Sequence, residues 1–290
     1  MNNNKKTTMT CWVCAHNDWR LFKANNLSGI LKPDSFAITD SHYGVTTELH
    51  QCQHCYFIQS SETSNVLSYY EQLEDQGYEL SRESRALQAD KILEQISKIK
   101  ADGKLFDIGA GSGILLESAS KFGYQASGVE PSHWLSEQAK ARGLAVREGT
   151  FAAGSQEFDV ITLIDVIEHV DDPWQLVLDI YNSLRPGGIL VLATPDFGSM
   201  FAKVMGHRWW HYRVAHIGYF NRQNLNYLLA KVGYLPLVIT TAKWYFSLDY
   251  LWERVFKYLP KGLRLKAPRF SQQITIPLDL HDSILAIYQK

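Results

Sequence analysis

The sequence predicts an α/β protein: a mostly parallel sheet with helices on both faces, preceded by a small metal-binding module. Three observations carry this. From residue 104 onward, short apolar strands alternate with helical patterns. The first of those strands runs into a glycine-rich loop that opens a helix. All four cysteines fall in the first fifth of the chain, as two C-x-x-C pairs. A βαβα order of this kind brings successive strands side by side in one parallel sheet.

Composition sets the outer bounds. The chain has 290 residues, about two domain lengths at roughly 150 residues each. Apolar residues make up 46% and charged residues 20%, which fits a folded core and excludes a disordered chain. Lys plus Arg is 29 and Asp plus Glu is 30. That balance lacks the basic excess of a phosphate-reading domain, so no nucleic-acid partner is expected. No apolar run reaches the ~20 residues of a membrane-spanning helix, and no apolar stretch follows Lys5 and Lys6 as in a secretory signal. The expected location is the cytoplasm.

Residues 1–60 read as the metal module. Cys11-Trp12-Val13-Cys14 and Cys52-Gln53-His54-Cys55 are separated by 37 residues. Two residues between cysteines let both sulfurs of a knuckle face one ion, and two knuckles complete a tetrahedral thiolate site suited to zinc. Two disulfides are the alternative, disfavoured in a reducing compartment. Four thiolates fill such a site, so His16, His50 and His54 read as surface or supporting residues, and the metal as structural. So short a segment has too little core to be stable alone.

Residues 61–100 read as a linker with helices that contribute to the active site. A polar, tyrosine-rich stretch with Tyr69, Tyr70 and Tyr78 leads to a helical pattern of Leu87, Ile92, Leu93, Ile96 and Ile99, ended by Asp102-Gly103. Residues 101–290 then carry the alternation. Strands are expected at Lys104–Ile108, Ala126–Val129, Ala145–Arg147, Phe158–Leu163 and Ile189–Ala193. Helices are expected at Ile114–Phe122, at Ser132–Arg142 behind a Ser N-cap, and at Pro173–Leu184 with Pro in its first turn. Asn221–Val232 reads as a further helix ended by Gly233, and Tyr234–Thr241 and Ser283–Tyr288 as two late strands. Between these strands lies an insertion, about 244–270, rich in Trp, Tyr, Leu, Lys and Arg.

The glycine loop is Asp107-Ile108-Gly109-Ala110-Gly111-Ser112-Gly113. Glycines allow the tight strand-to-helix turn and let a ligand approach the backbone without meeting a Cβ. The helix N-terminus behind the loop favours an anionic group. The spacing is G-x-G-x-G, where a dinucleotide fingerprint has G-x-G-x-x-G. Glu130, 23 residues after Asp107, sits at the tip of the second strand, where an acid accepts hydrogen bonds from both ribose hydroxyls.

Together, Asp107–Gly113, Gly128–Glu130, Phe158 through Val170, and Leu184-Arg185-Pro186-Gly187-Gly188 resemble the successive motifs of class I S-adenosylmethionine-dependent methyltransferases. The resemblance covers about residues 85–290. It implies a Rossmann-like seven-stranded sheet of order 3-2-1-4-5-7-6 with strand 7 antiparallel, Ile274–Tyr288 supplying that strand and its lead-in. It implies that Gly109, Ala110, Gly111 and Gly113 shape the methionine side of the cofactor pocket and that Asp107 lies near the cofactor's amino group. It further implies that Glu130, beside Pro131, holds the ribose, that Thr150 and Phe151 border the adenine, and that Asp165 flanks the methionine portion. Many family members carry an acid near the position of Thr150.

The four-cysteine module ahead of such a core resembles the C-methyltransferases of nucleotide-linked deoxy sugars. Their His-Glu-His-x-x-Tyr-Phe segment corresponds here to Val214-Ala215-His216-Ile217-Gly218-Tyr219-Phe220, so the first His and the Glu are replaced. The resemblance implies His216 as general base, with Tyr219, Tyr78 and His211 as further acceptor-facing residues. The same segment also resembles ubiquinone-biosynthesis-type O-methyltransferases; His169, in Glu168-His169-Val170, belongs to that signature and reads as structural. The implied reaction is methyl transfer to a sugar, glycan precursor or similar hydroxylated metabolite, with nucleotide-linked sugars and lipid-linked glycans as the candidate forms. The insertion, with Trp252, Tyr258, Lys261, Arg264, Lys266 and Arg269 among its residues, reads as a lid, as a lip for peripheral membrane contact, or as a cover for a sheet edge or subunit contact. The competing readings are a zinc-containing cofactor-binding scaffold without catalysis, a lipid-linked or macromolecular acceptor, and a nicotinamide-dependent oxidoreductase, against which the glycine spacing speaks.

Overall fold

A computed structural model describes residues 9–39, 43–62, 66–154, 156–257, 260, 265–268, 270–271 and 274–290. The amino-terminal region contributes strands β1 (Trp19–Lys23), β2 (Leu49–Cys52) and β3 (Ile58–Ser60), then helices α1 (Val66–Glu71), α2 (Gln76–Leu80) and α3 (Arg82–Ile96). The alternating part follows as β4 (Gly103–Ile108), α4 (Ile114–Lys121), β5 (Tyr124–Glu130), α5 (His133–Ala141), β6 (Val146–Glu148), β7 (Phe158–Ile164), α6 (Pro173–Ser183) and β8 (Leu184–Pro195). The remainder is α7 (Met200–Met205), β9 (Gly218–Tyr219), α8 (Arg222–Val232), β10 (Leu235–Thr241), β11 (Trp244–Ser247), α9 (Leu248–Lys257), β12 (Thr275–Leu278) and β13 (Ser283–Gln289).

The main sheet has seven strands in the order β10-β13-β8-β7-β4-β5-β6. β4 through β8 run parallel, and β13 is antiparallel to both of its neighbours. Read from β6, this is the expected 3-2-1-4-5-7-6 arrangement. Its central strands carry continuous apolar runs because helices cover both faces. Val160, Ile161 and Leu163 of β7 and Leu190, Val191, Leu192 and Ala193 of β8 are fully buried. Each large member contributes about 1.5–3 kcal/mol relative to exposure.

Local chemistry fixes the helix ends. The Ser132 hydroxyl accepts the Leu135 N–H at 3.1 Å to open α5. Asp172 accepts the Gln175 N–H at 2.9 Å ahead of Pro173 in α6. Asn221 and Asn224 cap α8 reciprocally, and Gly233 ends it at φ +114°, in the left-handed region.

The amino-terminal strands form a second sheet, β1-β2-β3-β9. Its last strand comes from the segment that carries His216. Ile58 pairs with Tyr219 and Gln59 with Gly218, the Ser60 N–H donates to the Ile217 carbonyl at 2.8 Å, and the Gly44 N–H donates to the Tyr212 carbonyl at 2.7 Å.

Several elements differ from expectation. The stretch read as polar linker holds α1 and α2, the latter capped by Asp75, which accepts the Tyr78 N–H at 3.0 Å. Of the apolar residues assigned to the next helix, Ile92, Leu93 and Ile96 are buried, while Leu87 is exposed and Ile99 lies beyond the end of α3. β8 begins before its glycines, with Leu184 beside Phe158, and its register with β7 shifts just after. The insertion starts as β11, which pairs with β12, and continues into α9. Tyr258, Leu259, Lys261, Arg264 and Arg269 lie outside the described residues.

Candidate active site

The carboxyl ends of the parallel strands open into one cavity of about 1130 Å³. In a doubly wound sheet this is where ligands bind. Asp107, Gly109, Ala110, Gly111, Glu130, Pro131, Thr150, Phe151 and Asp165 all line it, as do Tyr78, His211 and His216. Gly113 and Tyr219 are not part of its wall.

The glycine loop is shaped by its neighbours. Gly111 has φ +54°, and a Cβ there would stand 2.7 Å from the Tyr78 hydroxyl. Gly113 has φ +77° and caps α4, with Leu144 where a Cβ would go. At the tip of β5, Glu130 accepts the Gly111 N–H at 2.8 Å on Oε2 and the Ser132 N–H at 2.8 Å on Oε1. Each oxygen keeps a second lone pair. Burial pushes the Glu130 carboxyl up to about 7, opposed by those two N–H donors.

Asp107 ends β4. Burial raises it to about 7; the Thr162 hydroxyl, donating to Oδ1 at 2.6 Å, opposes the shift, and the Glu130 charge adds to it. Asp165, at φ +53°, turns its carboxylate into the open cavity. It is exposed there, and the protein atoms crowded around the cavity wall raise it to about 7 against the pull of Arg85 and Arg213. Three carboxyls poised to ionise around one pocket suit a cationic ligand. Phe151 packs on Phe106 with ring centroids 5.6 Å apart and offers an apolar border beside Thr150.

Across the cavity stand three imidazoles. His216 lies parallel to His211 at 5.8 Å and meets the edge of His169 at 4.7 Å. The Nδ1–H of His169 donates to the Ala215 carbonyl at 2.6 Å, and the Tyr70 hydroxyl lies 2.9 Å from the same nitrogen. His211 Nε2 is 3.8 Å from Asp282, which also accepts the Trp209 indole N–H at 2.9 Å. Burial, aided by Arg213, lowers His211 to about 3 and His216 well below the ordinary imidazole range. Burial lowers His169 to about 4. All three are neutral at pH 7. His216 Nδ1 is buried with no hydrogen-bond partner among the described residues. Tyr219 stands behind the wall, its hydroxyl donating to the Arg213 carbonyl at 3.3 Å. Glu168, His169 and His216 each place one ligand-type atom within 4.8 Å of the others, a grouping able to hold a cation.

The four cysteines also meet. Cys11 and Cys55 sulfurs are 3.5 Å apart, as are those of Cys14 and Cys52, and all four lie within 4.8 Å of one another. The two knuckles share one geometry. Ala15 and Tyr56, each following the second cysteine, have φ +64° and +62°, and their N–H groups donate to Cys11 and Cys52 carbonyls at 2.9 and 3.0 Å. A tetrahedral ion with bonds of about 2.3 Å spaces its sulfurs about 3.8 Å apart, so this set could hold one.

Four participants carry no assigned role in the sequence. Thr162, Tyr70, Arg85 and Arg213 gain their roles from β7, α1, α3 and the loop before β9, and only the tertiary fold brings these together. The Asp165–His169 stretch was the available signal for the Glu168–His169 wall.

The methyltransferase domain family matches residues 80–237, more than half of the chain. Ubiquinone biosynthesis O-methyltransferases are similar over a shorter span. One from a Caulobacter species is 33% identical over 101 residues, covering 31% of this chain and 40% of the relative. One from Actinobacillus pleuropneumoniae is 33% identical over 113 residues, covering 33% and 48%. The chain thus spans less than half the length of these relatives. Among solved structures, an S-adenosylmethionine-dependent methyltransferase from Archaeoglobus fulgidus superposes with a TM-score of 0.52 at 16% identity, covering 74% of this chain and all of that one. A methyltransferase solved in complex with a Haloferax volcanii methyltransferase activator gives 0.54 at 13%, covering 79% and 99%. Both report on fold alone. With the family matched across the glycine loop, the acid on β5 and the β7–β8 motifs, the chain belongs to the class I S-adenosylmethionine-dependent methyltransferases.

Proposed function

We propose that this chain transfers a methyl group from S-adenosylmethionine to a small hydroxylated acceptor, of the sugar or glycan-precursor class, and that its four cysteines hold a structural zinc ion. The observation that carries the reading is the division of one cavity into two unlike halves. Carboxylates and glycines line the strand tips, and neutral imidazoles face them.

When bound, S-adenosylmethionine supplies an electrophilic methyl on a positively charged sulfur. The chain's own residues do the rest. Gly109 and Gly111 let Val166 and Tyr78 close against the loop backbone, and Asp107 and Asp165 answer an ammonium group. Glu130 keeps lone pairs for two ribose hydroxyls, and the aromatic wall excludes water. His216 takes the acceptor's proton. His211 stacks on that ring, Tyr219 supports it from behind, and Tyr78 closes the glycine loop from above. Four thiolates leave zinc no open position, so the metal organises the amino-terminal sheet and takes no part in the chemistry.

The test incubates the purified protein with S-adenosylmethionine and a panel of free and nucleotide-linked sugars, following S-adenosylhomocysteine release and a product heavier by one methylene. His216→Ala should slow turnover by on the order of 10²–10⁴, with S-adenosylhomocysteine affinity kept. Binding of a nicotinamide dinucleotide in place of S-adenosylhomocysteine would overturn the reading.

A further inference from the structure

We propose that Arg85, Arg213 and Arg254 form an anion subsite in the acceptor half of the cavity, built for a diphosphate group. Calling its ligand the acceptor rests on the methyl-transfer reading above; the binding itself does not.

The three arginines come from α3, the loop before β9, and α9, and all three line the cavity. They converge on one aromatic ring. The Arg254 guanidinium lies 4.0 Å over Tyr250 and 5.1 Å from Tyr43, and Arg85 and Arg213 both act electrostatically on Tyr250. Arg85 lies 4.3 Å over the Tyr78 ring. A guanidinium flat against an aromatic face is held in orientation. Arg254 Nη2 donates to the Thr39 carbonyl at 3.0 Å, Arg85 Nε to the Ser81 hydroxyl at 2.8 Å, and Arg213 donates to the Ala37 and Ile38 carbonyls. These contacts fix all three side chains. Arg213 Nε is buried with no partner among the described residues, and a buried charged donor calls for an acceptor.

Among the described residues, Asp165, Glu168 and Asp75 act on this cluster. Arg213 acts on Asp165 and Glu168, and Arg85 on Asp165. Protein atoms crowded around the cavity wall raise Asp165 to about 7, and burial raises Glu168 well above the usual range. Both shifts favour the proton-bound form, which eases the approach of an anion to the three guanidiniums. The guanidinium fork matches pairs of phosphate oxygens, and several forks suit oxygens spread over two phosphorus centres. Two kinds of molecule carry that group: nucleoside diphosphate derivatives and prenyl diphosphates, for which Leu251, Val255 and Leu278 supply adjoining apolar surface.

The experiment is calorimetric titration of the full chain with inorganic pyrophosphate, UDP and geranyl diphosphate, each with and without S-adenosylhomocysteine. Pyrophosphate should bind at one site, more weakly as salt is raised. Arg254→Gln and Arg85→Gln should each weaken it by about tenfold, and Arg254→Lys should weaken it less, while S-adenosylhomocysteine affinity stays unchanged in the two Arg254 variants. Tighter binding of UDP than of geranyl diphosphate identifies a nucleotide-linked acceptor, and the reverse a lipid-linked one. Absence of binding by all three diphosphates at millimolar concentration overturns the proposal, as does binding indifferent to the substitutions. Salt dependence on the unaltered chain decides the matter even if a variant fails to fold. Loss of S-adenosylhomocysteine binding with arginine-dependent pyrophosphate binding intact would sink the methyl-transfer reading and leave the subsite standing.

Discussion

Ile58, three residues beyond the last cysteine, is the β-sheet partner of Tyr219, three residues beyond His216. Phe57 and Phe220 extend the contact, with ring centroids 4.8 Å apart. The proposed metal knuckle and the proposed base are thereby joined through one short pair of strands.

Metal loss should consequently reach the active site. We expect about one zinc per chain, and its loss in Cys52→Ser. Zinc binding in small modules is worth on the order of 10 kcal/mol in apparent free energy, so the amino-terminal sheet should melt early. Turnover should fall far more than S-adenosylhomocysteine affinity, because β9 carries the histidine segment and the glycine loop does not depend on it. Metal analysis, thermal melting and calorimetry check this; a metal-free protein with full activity would refute it.

Gly111→Ala should weaken S-adenosylhomocysteine binding for two separable reasons. The new Cβ would stand 2.7 Å from the Tyr78 hydroxyl, and φ +54° is strained for any residue with a Cβ. Adding Tyr78→Phe removes the close contact but not the strain, which is worth about 1–2 kcal/mol. The double variant should recover part of the affinity, as measured by titration.

Glu130→Ala should cost about 1–3 kcal/mol of cofactor affinity. It also leaves the Gly111 and Ser132 N–H groups without their carboxylate, so the melting temperature should fall as well. Unchanged affinity would remove Glu130 from the site.

Cofactor binding should release protons near pH 7. Asp107, Glu130 and Asp165 are each raised to about 7, and a cationic ligand favours their ionised forms. Affinity should climb as pH rises from about 6 to 8, with about one proton or more released per ligand at pH 7. Titrations in buffers of different ionisation enthalpy measure this number, and zero would refute it. Stability of the ligand-free chain is a poorer reporter. The three carboxyls stabilise the fold below their unfolded values, near pH 4, and lose that contribution as pH rises through 7. His169 and His211, lowered to about 4 and about 3, act oppositely, costing stability as pH falls below about 6.5. The two sets largely offset in the shared window.

The parallel core was legible because its strands are long apolar runs and its helix starts carry Ser132, Pro173 and Asn221. The cofactor half was legible because Gly109, Gly111, Asp107 and Glu130 sit within one βαβ unit. The acceptor half was less so. Arg85, Arg213 and Arg254 are spread over 170 positions and meet only because α9 folds back over the cavity. α1 and α2 escaped notice because each is shorter than two full turns, too brief for periodicity to register. Tyr219 illustrates the opposite error of scale: its motif position is plain, yet its hydroxyl points to a backbone carbonyl and not into the cavity.

β13, the last strand in the sequence, sits between β8 and β10 in the interior of the sheet. During synthesis, β4 through β8 emerge and can pair while the open side of β8 still waits for residues 283–289. That largely apolar strand, with its backbone N–H and C=O groups unpaired, is an unguarded template for adhesion to other nascent chains. Premature termination within the 244–270 insertion should therefore yield insoluble protein, whatever the length already completed.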